Sequence, residues 1–225
     1  MFSDFVTNMN MPPVTGDHVF SSLARAGQVS AVIGSRSWTQ MFGASIAIQE
    51  TDSGIPSLLA RMQPVSRADA AFVKKARRIL EARRSTLTVV HLFGSDALSH
   101  ARGPLSEPYT RKLAELDTQV RELITACGPD CTIVLTSDHG ASDRGHHGLG
   151  EEIARRTPLV FAGPGIRAGA TFTASQRDIA PTLVTILGAP VPGPAQGRVL
   201  VEALALDPAT RSEERRVGKE CRMPC

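Results

Sequence analysis

The chain has 225 residues, 42% of them hydrophobic, which is enough to bury the core of one sizeable α/β domain. Its formal charge of +3 depends on residues 211–225; with their five basic and three acidic side chains set aside, 20 basic residues face 19 acidic ones. This balance, without a basic stripe interleaved with aromatic residues, excludes a nucleic-acid-binding surface. No apolar run approaches the roughly 18 residues of a membrane span, so membrane association is expected only through segments outside this sequence.

The two ends of the chain are not expected to belong to the packed core. Residues 211–225, RSEERRVGKECRMPC, resemble a translated sequencing adaptor and lack a periodic apolar pattern. We therefore predict one domain over residues 1–210 and a non-native tail over 211–225, with a disordered basic tail as the alternative. The start, MFSDFVTNMNMPP, lacks the features of a signal peptide, so the chain is either cytosolic or without its targeting segment.

The first third of the chain predicts a helix followed by a strand. Residues 1–16 are expected to be irregular because they contain several helix breakers. Residues 17–27 predict a helix, with Asp17 as its cap and a glycine at its end. Residues 29–35, VSAVIGS, predict a short buried strand.

The middle of the chain continues the alternation of helices and strands. Residues 37–54 predict a loop that Trp38 and Phe42 anchor to the core. Residues 67–84 show apolar spacing near 3.6 and predict an amphipathic helix with a solvated basic face. TLTVVHLFG, residues 86–94, predicts a strand that runs into a polar loop.

Residues 106–127 predict a long helix capped by Ser106. Its core-facing stripe is expected to be the set Leu113, Leu116, Val120, Leu123 and Ile124.

The remaining elements complete a predicted α/β fold. CTIVLTSD, residues 131–138, predicts a strand buried on both faces, TPLVFAGPG, residues 157–165, predicts another, and residues 175–190 predict a helix. Nearly all-apolar strands that alternate with helices indicate a mostly parallel sheet with helices on both faces. In such sheets ligands bind beyond the carboxyl ends of the strands.

Two cysteines lie outside the tail, Cys127 and Cys131. Their spacing is neither that of a zinc knuckle nor that of a redox pair, and it predicts a turn between a helix and a strand. A small local disulfide is expected only in an oxidising compartment.

A carboxylate and an imidazole lie four residues apart just after the strand 86–94. If the segment turns helical, Asp96 and His100 share one face, as suits zinc, which takes oxygen and nitrogen ligands. Taken alone, this pair is better explained by Asp96, or alternatively Ser99, capping a turn beside a surface histidine.

A second polar cluster follows the strand 131–138 and favours the metal interpretation. Asp138 and His139 lie where strand pairing ends, and His146 and His147 lie in a loop bracketed by glycines. Alone, these are polar loop residues with Asp138 capping a turn. Both clusters together, at the strand tips of one α/β sheet, predict a metal site.

An ordered set of motifs over residues 88–188 resembles the alkaline phosphatase superfamily. The closest branch is the type I phosphodiesterase and nucleotide pyrophosphatase group, together with the GPI ethanolamine phosphate transferases. The motifs that carry this resemblance are HLFGSDALSHARGPLSEPYTRKLAELD, TIVLTSDHGASDRGHHG, TPLVFAGPGI and QRDIAPTLVTILGAP. The segment HVFSSLARAGQVSAVIGSRSWTQMFG is similar to the preceding part of that family, less specifically.

The resemblance implies two divalent ions, usually zinc, and assigns their ligands by position. One ion would take Asp96, His100 and His147, which leaves an open fourth position as in catalytic zinc sites. The other would take Asp138 and His139, together with a further Asp and a Ser or Thr nucleophile that the family carries upstream.

This sequence departs from the family pattern in three places. No apolar strand ending in Asp precedes residue 29, so the nucleophile is unknown and expected upstream; Thr7 and Thr15 are poor candidates for it. Ser99 stands where the family usually has glycine, which tightens the turn without removing a ligand. His146 stands where smaller residues are commoner and is expected behind the ligands or facing solvent.

The predicted function is metal-dependent phosphodiester hydrolysis or phosphoethanolamine transfer, carried by an incomplete fragment that is inactive alone. The substrate would be a phosphodiester or phospholipid-like small molecule, and the family favours a location outside the cytosol. The alternatives are a non-catalytic zinc-binding α/β module, another superfamily member such as a sulfatase or phosphoglycerate mutase, or a metal-free α/β binding protein.

Overall fold

Three parallel strands form the larger sheet of the protein. The computed structural model describes residues 11–51, 65–145, 147 and 151–206. The strand order is β2–β1–β3, so β1 is central, with Ala31 opposite both Ile48 and Thr88. The bounds are β1, Ser30–Gly34; β2, Ile48–Thr51; and β3, Leu87–Val90.

Helices cover both faces of this sheet. The first three are α1, Val19–Arg25; α2, Ser37–Phe42; and α3, Val65–Glu81. Successive side chains of a strand point to opposite faces. Ala31 and Ile33 pack against α3, whereas Val32 packs on the other face with Phe20 of α1 and Ile46. The predicted α/β class, with a parallel sheet between helices, is confirmed.

Helix α1 forms where the sequence predicts it but begins with a different cap. The side chain of His18, not that of Asp17, accepts the backbone N–H of Ser21. Asp17 instead accepts hydrogen bonds from Arg25 and Ser21, which hold the pKa of its carboxyl far below its usual range. The predicted cap was therefore wrong by one residue.

Most of residues 37–51 lie in regular elements, so the loop predicted for 37–54 is wrong over those elements. They form α2, a 3₁₀ turn over Gly43–Ser45, and β2. These elements are too short to show a helical or strand periodicity in their apolar residues. Helix α2 also lacks a side-chain cap that would mark its start in the sequence. Trp38 and Phe42 do pack against the core cluster around Phe20, as predicted.

Two consecutive helices follow β3. They are α4, Gly94–Arg102, and α5, Glu107–Cys127, and the hydroxyl of Ser106 caps α5 as predicted. The predicted apolar stripe of α5 is only partly right. Leu123 packs against the core, but Leu113 and Ile124 are exposed, and the buried residues are Lys112 and Gln119.

Two later strands pair antiparallel in a separate small sheet. They are β4, Ile133–Thr136, and β5, Leu159–Ala162, with Leu135 opposite Val160. Both of these side chains are exposed, so the prediction that β4 is buried on both faces was wrong. An apolar run specifies neither strand direction nor the number of covered faces.

Two further helices flank β5. A short helix, α6, spans Glu152–Arg155, and α7 spans Ile179–Ile186 after a 3₁₀ turn over Gln176–Asp178. The sequence predicts the 3₁₀ turn and α7 as one helix, whereas α6 was not predicted.

The turn between α5 and β4 carries a disulfide. Cys127 and Cys131, four positions apart in the sequence, form a disulfide at the predicted helix-to-strand turn.

The predicted domain boundary at residue 210 and the predicted tail lie outside the described residues and stay predictions. None of the helices in the described ranges combines the length and hydropathy that crossing a membrane requires.

Candidate metal centre

Asp96 and His100 lie on α4, the helix that begins directly after β3. Asp96 is in its first turn and His100 follows one turn later, so both side chains lie on one face. His100 Nε2 is 3.3 Å from Asp96 Oδ1. The segment is therefore helical, as the metal interpretation requires, and no side chain of α4 caps its start, contrary to the alternative interpretation.

Asp138 and His139 directly follow the end of β4, and two contacts fix the backbone there. The side-chain amide of Gln176 donates to the carbonyl oxygens of Ser137 and Asp138. Gly140 packs so closely against the carbonyl oxygens of Ile153 and Arg156 that a β-carbon would clash with both. The glycine of the DHG motif is thus required by close backbone contact.

The loop that carries His147 crosses directly over α4. Gly145 has φ +76°, and a β-carbon there would overlap the carbonyl of Ser99. Ser99 is 2% exposed beneath this crossing, and its hydroxyl has no hydrogen-bond partner among the described residues. This contact between Gly145 and Ser99 brings His147 to the side of α4 that bears Asp96 and His100.

Three ligand-type atoms from α4 and the loop form a compact triangle. Its sides are 3.3 Å from Asp96 Oδ1 to His100 Nε2, 3.7 Å from Asp96 Oδ1 to His147 Nε2, and 3.0 Å between the two Nε2 atoms. One point lies about 1.9–2.0 Å from all three corners, and zinc keeps about 2.0–2.2 Å from its nitrogen and oxygen ligands. The triangle therefore has the size and donor chemistry that fit one zinc ion.

His139 and Asp138 extend this cluster on one side. The His139 ring stacks on the His147 ring with centroids 3.6 Å apart, and His139 Nε2 lies 3.9 Å from Asp96 Oδ1 and 3.6 Å from Asp138 Oδ2. Ligand atoms of Asp96, His139 and His147 also lie within 4.8 Å of one another, which defines a second possible grouping. Asp138 is the most open member, with 75% of its side chain exposed.

Hydrogen bonding orients the His139 ring, and burial favours the neutral, metal-binding form of His147. The Nδ1–H of His139 donates to the carbonyl oxygen of Gly140, so Nε2 of the neutral ring is an acceptor facing the cluster. Burial, aided by the neighbouring His139, lowers the pKa of the His147 imidazole. Neutral imidazole is the form that binds metal ions.

Of the remaining sequence-predicted residues, Thr15 is the one that the structure describes. His146 and Thr7 lie outside the described residues, so the role predicted for His146 stays a prediction. Thr15 is exposed in the segment before α1. Sequence reasoning missed the contacts of Gln176 and Gly145, which hold the two ligand-bearing segments in place. A glycine five residues after a DHG motif carries no signal of which helix it will cross.

A cavity of about 380 Å³ borders the end of β4. Thr136, Leu159, Phe172 and Gln176 are among its lining residues, and the five clustered Asp and His side chains are not. Gln176 connects the two regions, because it lines the cavity and holds the backbone of Asp138.

A parallel-stranded α/β fold with Asp and His side chains clustered beyond β3 and β4 defines a metal-dependent class of protein. The sequence profile described as the Metalloenzyme superfamily matches residues 37–191. The chain belongs to this superfamily, and the resemblance to the alkaline phosphatase-like branch is confirmed.

Curated relatives of this chain carry the name GPI ethanolamine phosphate transferase. The catalytic subunit of the human type 2 protein is 27% identical over 213 residues, covering 88% of this chain and 21% of the relative. The human type 1 protein is 31% identical over 51% of this chain and 15% of the relative. The type 1 protein of Aspergillus fumigatus is 40% identical over 37% of this chain and 8% of its own length. The chain spans about a fifth or less of these relatives.

Proposed function

We propose that this chain is the metal-binding part of an enzyme that transfers phosphoethanolamine to a hydroxyl group at a two-zinc site. The observation that carries the proposal is the triangle of Asp96 Oδ1, His100 Nε2 and His147 Nε2, which fits one zinc ion. The names of the curated relatives support phosphoethanolamine transfer over simple hydrolysis.

The residues of this chain would hold the ions and keep their ligand atoms available. Asp96, His100 and His147 would hold the first ion, and Asp138 with His139 would contribute to the second. Bound zinc supplies positive charge that offsets the charge on a transferred phosphoryl group. The Gly140 carbonyl fixes the His139 tautomer, and burial keeps His147 neutral near neutral pH. Gln176 holds the Asp138 backbone in place.

The second ion would have only two ligands from this chain, which is too few for tight zinc binding. We propose that the missing carboxylate and a Ser or Thr nucleophile come from sequence upstream of residue 1. The 225-residue chain alone would then have little or no catalytic activity. Hydrolysis of an aryl phosphodiester that requires added zinc and disappears in Asp138→Ala would contradict this.

The proposed substrate is a phospholipid-like phosphodiester with an ethanolamine head group. Membrane association would require segments other than those described. An oxidising, extracytoplasmic location is proposed because the Cys127–Cys131 disulfide would not persist in a reducing cytosol.

A second candidate, a non-catalytic module with a single zinc ion, is favoured by the openness of Asp138. Two measurements separate the candidates. Elemental analysis of the zinc-equilibrated chain should give one tightly held ion and a second, weaker one, and Asp138→Ala should remove only the weaker ion. An ethanolamine phosphodiester should then compete with an aryl phosphodiester for binding. One ion with no phosphodiester binding would support the structural module, and no bound ion would refute both.

A further inference from the structure

A buried ion pair joins α3 to α5 beneath the start of α4. Asp69 Oδ2 lies 2.7 Å from Lys112 Nζ, and their side chains are 0% and 2% exposed. Glu115, one turn along α5, lies 3.3 Å from the same Nζ atom. Removing two charges from water is costly, and an apolar pair of similar size often stabilises a fold as well. The pair is therefore better explained by a positional role than by stability alone.

The Asp69 carboxylate binds the backbone at the start of α4. Its Oδ1 accepts the N–H of Phe93 at 3.2 Å, and its Oδ2 accepts the N–H of Gly94 at 3.1 Å. The first N–H groups of a helix have no partner within the helix, and a negative charge is favourable there. Because α4 has no side-chain cap of its own, Asp69 supplies from another helix what a cap residue usually supplies.

The fit around Gly94 leaves no space for another residue. A β-carbon at this position would overlap both Asp69 Oδ2 and the Lys112 side chain. The start of α4 therefore packs directly against the Asp69–Lys112 ion pair. Asp96 lies two residues after this contact and His100 one helical turn later.

We propose that Asp69 is a positioning residue for the metal centre, held in place by Lys112, and that it sets where α4 presents Asp96 and His100. The inference rests on the proposed metal site. Ligand distances in a well-formed metal site lie within about 0.2 Å of their standard values. A shift of the α4 start would therefore weaken metal binding before it unfolds the chain.

Two variants of the full chain test this. Asp69→Asn with Lys112→Met removes both charges at similar volume and leaves only one acceptor oxygen for the two N–H groups. Gly94→Ala keeps both charges but pushes α4 away from the pair. A matched control, Ile79→Val, removes one methyl group from the same core at a position on α3 well beyond Asp69.

The readouts are zinc affinity, by competition with a chelator, and the absorption spectrum of bound Co²⁺, which reports ligand geometry. Both variants should bind zinc 10- to 100-fold more weakly than the unmodified chain, as is usual when a residue supporting a ligand is lost, with an altered Co²⁺ spectrum. The Ile79→Val control should keep both properties.

Three results would overturn the proposal, and they differ from one another. Variants that keep the affinity and spectrum of the unmodified chain would show that the pair does not position the ligands. Failure of both variants to fold would show that the pair supports the whole fold rather than α4. An unmodified chain that binds no metal would refute the proposed function itself.

Discussion

Replacing His100 by alanine distinguishes the two groupings that the clustered side chains allow. In the first grouping, His100 completes the triangle with Asp96 and His147, whose sides are 3.0–3.7 Å. In the second, His139 takes its place at a longer separation of 3.9 Å from Asp96 Oδ1. Because the first triangle fits zinc distances more closely, His100→Ala should abolish the tighter site and His139→Ala should leave it in place.

The magnitude follows from the number of ligands that remain. Loss of a residue that merely supports a ligand costs about 10- to 100-fold in affinity, so loss of a ligand itself should cost at least about 100-fold, or about 2.7 kcal/mol. His139→Ala should weaken the tighter site by less than about tenfold, because it removes only a stacking neighbour of His147.

The assay is chelator competition under matched conditions, with thermal unfolding to show that each variant is folded. Arg102→Ala, an exposed position on the same helix, serves as the control and should bind zinc as the unmodified chain does. If His139→Ala loses the site while His100→Ala retains it, the assignment of His100 is wrong. If neither variant loses affinity, zinc binds elsewhere.

Three further predictions concern stability and pH. Ser99→Ala should leave the free energy of unfolding in urea unchanged or raise it by about 1 kcal/mol, because it removes a buried hydroxyl that has no partner in the described part of the chain; a loss above about 1 kcal/mol would show that the hydroxyl is bonded. Replacing Cys127 and Cys131 with serine should cost about 2 kcal/mol for so short a loop, and an unchanged melting temperature would contradict the bond. Burial lowers the pKa of His147 and of His18, so the unfolded chain takes up protons at these positions more readily than the folded chain does. The free energy of unfolding should therefore be highest above the ordinary histidine pKa of 6.5 and should decline as the pH falls below that value. Urea titrations of the metal-free chain from pH 8 to 5 should show this decline. A free energy of unfolding that rises on acidification would contradict the lowered histidine pKa values.

The sequence predicts two strands of the parallel sheet and the ligand-bearing segments, because these depend on local pattern. The apolar β1 and β3 runs identify strands that are paired in the structure, and the spacing of Asp96 and His100 indicates one helical face. The order of the family motifs then places Asp138, His139 and His147 in the same site, although the sequence gives no distances between these residues.

Periodicity did not predict which face of α5 is buried. It shows that Leu113 and Ile124 share a stripe, but burial depends on what packs against it, and both side chains are exposed. Lys112 and Gln119 are buried because Asp69 and Glu115 offer partners to them. The partner of Lys112 lies 43 residues earlier in the sequence, and no local pattern indicates that pairing.

The antiparallel pairing of β4 with β5 was missed for a related reason. Both runs are apolar, and an apolar run is compatible with either direction. The direction is set by which partners are present, and here β4 pairs with β5 in a separate sheet.

Anomalous X-ray diffraction at the zinc absorption edge, from crystals of the zinc-loaded chain, tests the central claim most directly. The account predicts a peak about 2.0–2.2 Å from each of Asp96 Oδ1, His100 Nε2 and His147 Nε2. A peak that lacks any one of these three atoms among its ligands, or the absence of a peak between α4 and the loop carrying His147, would contradict it.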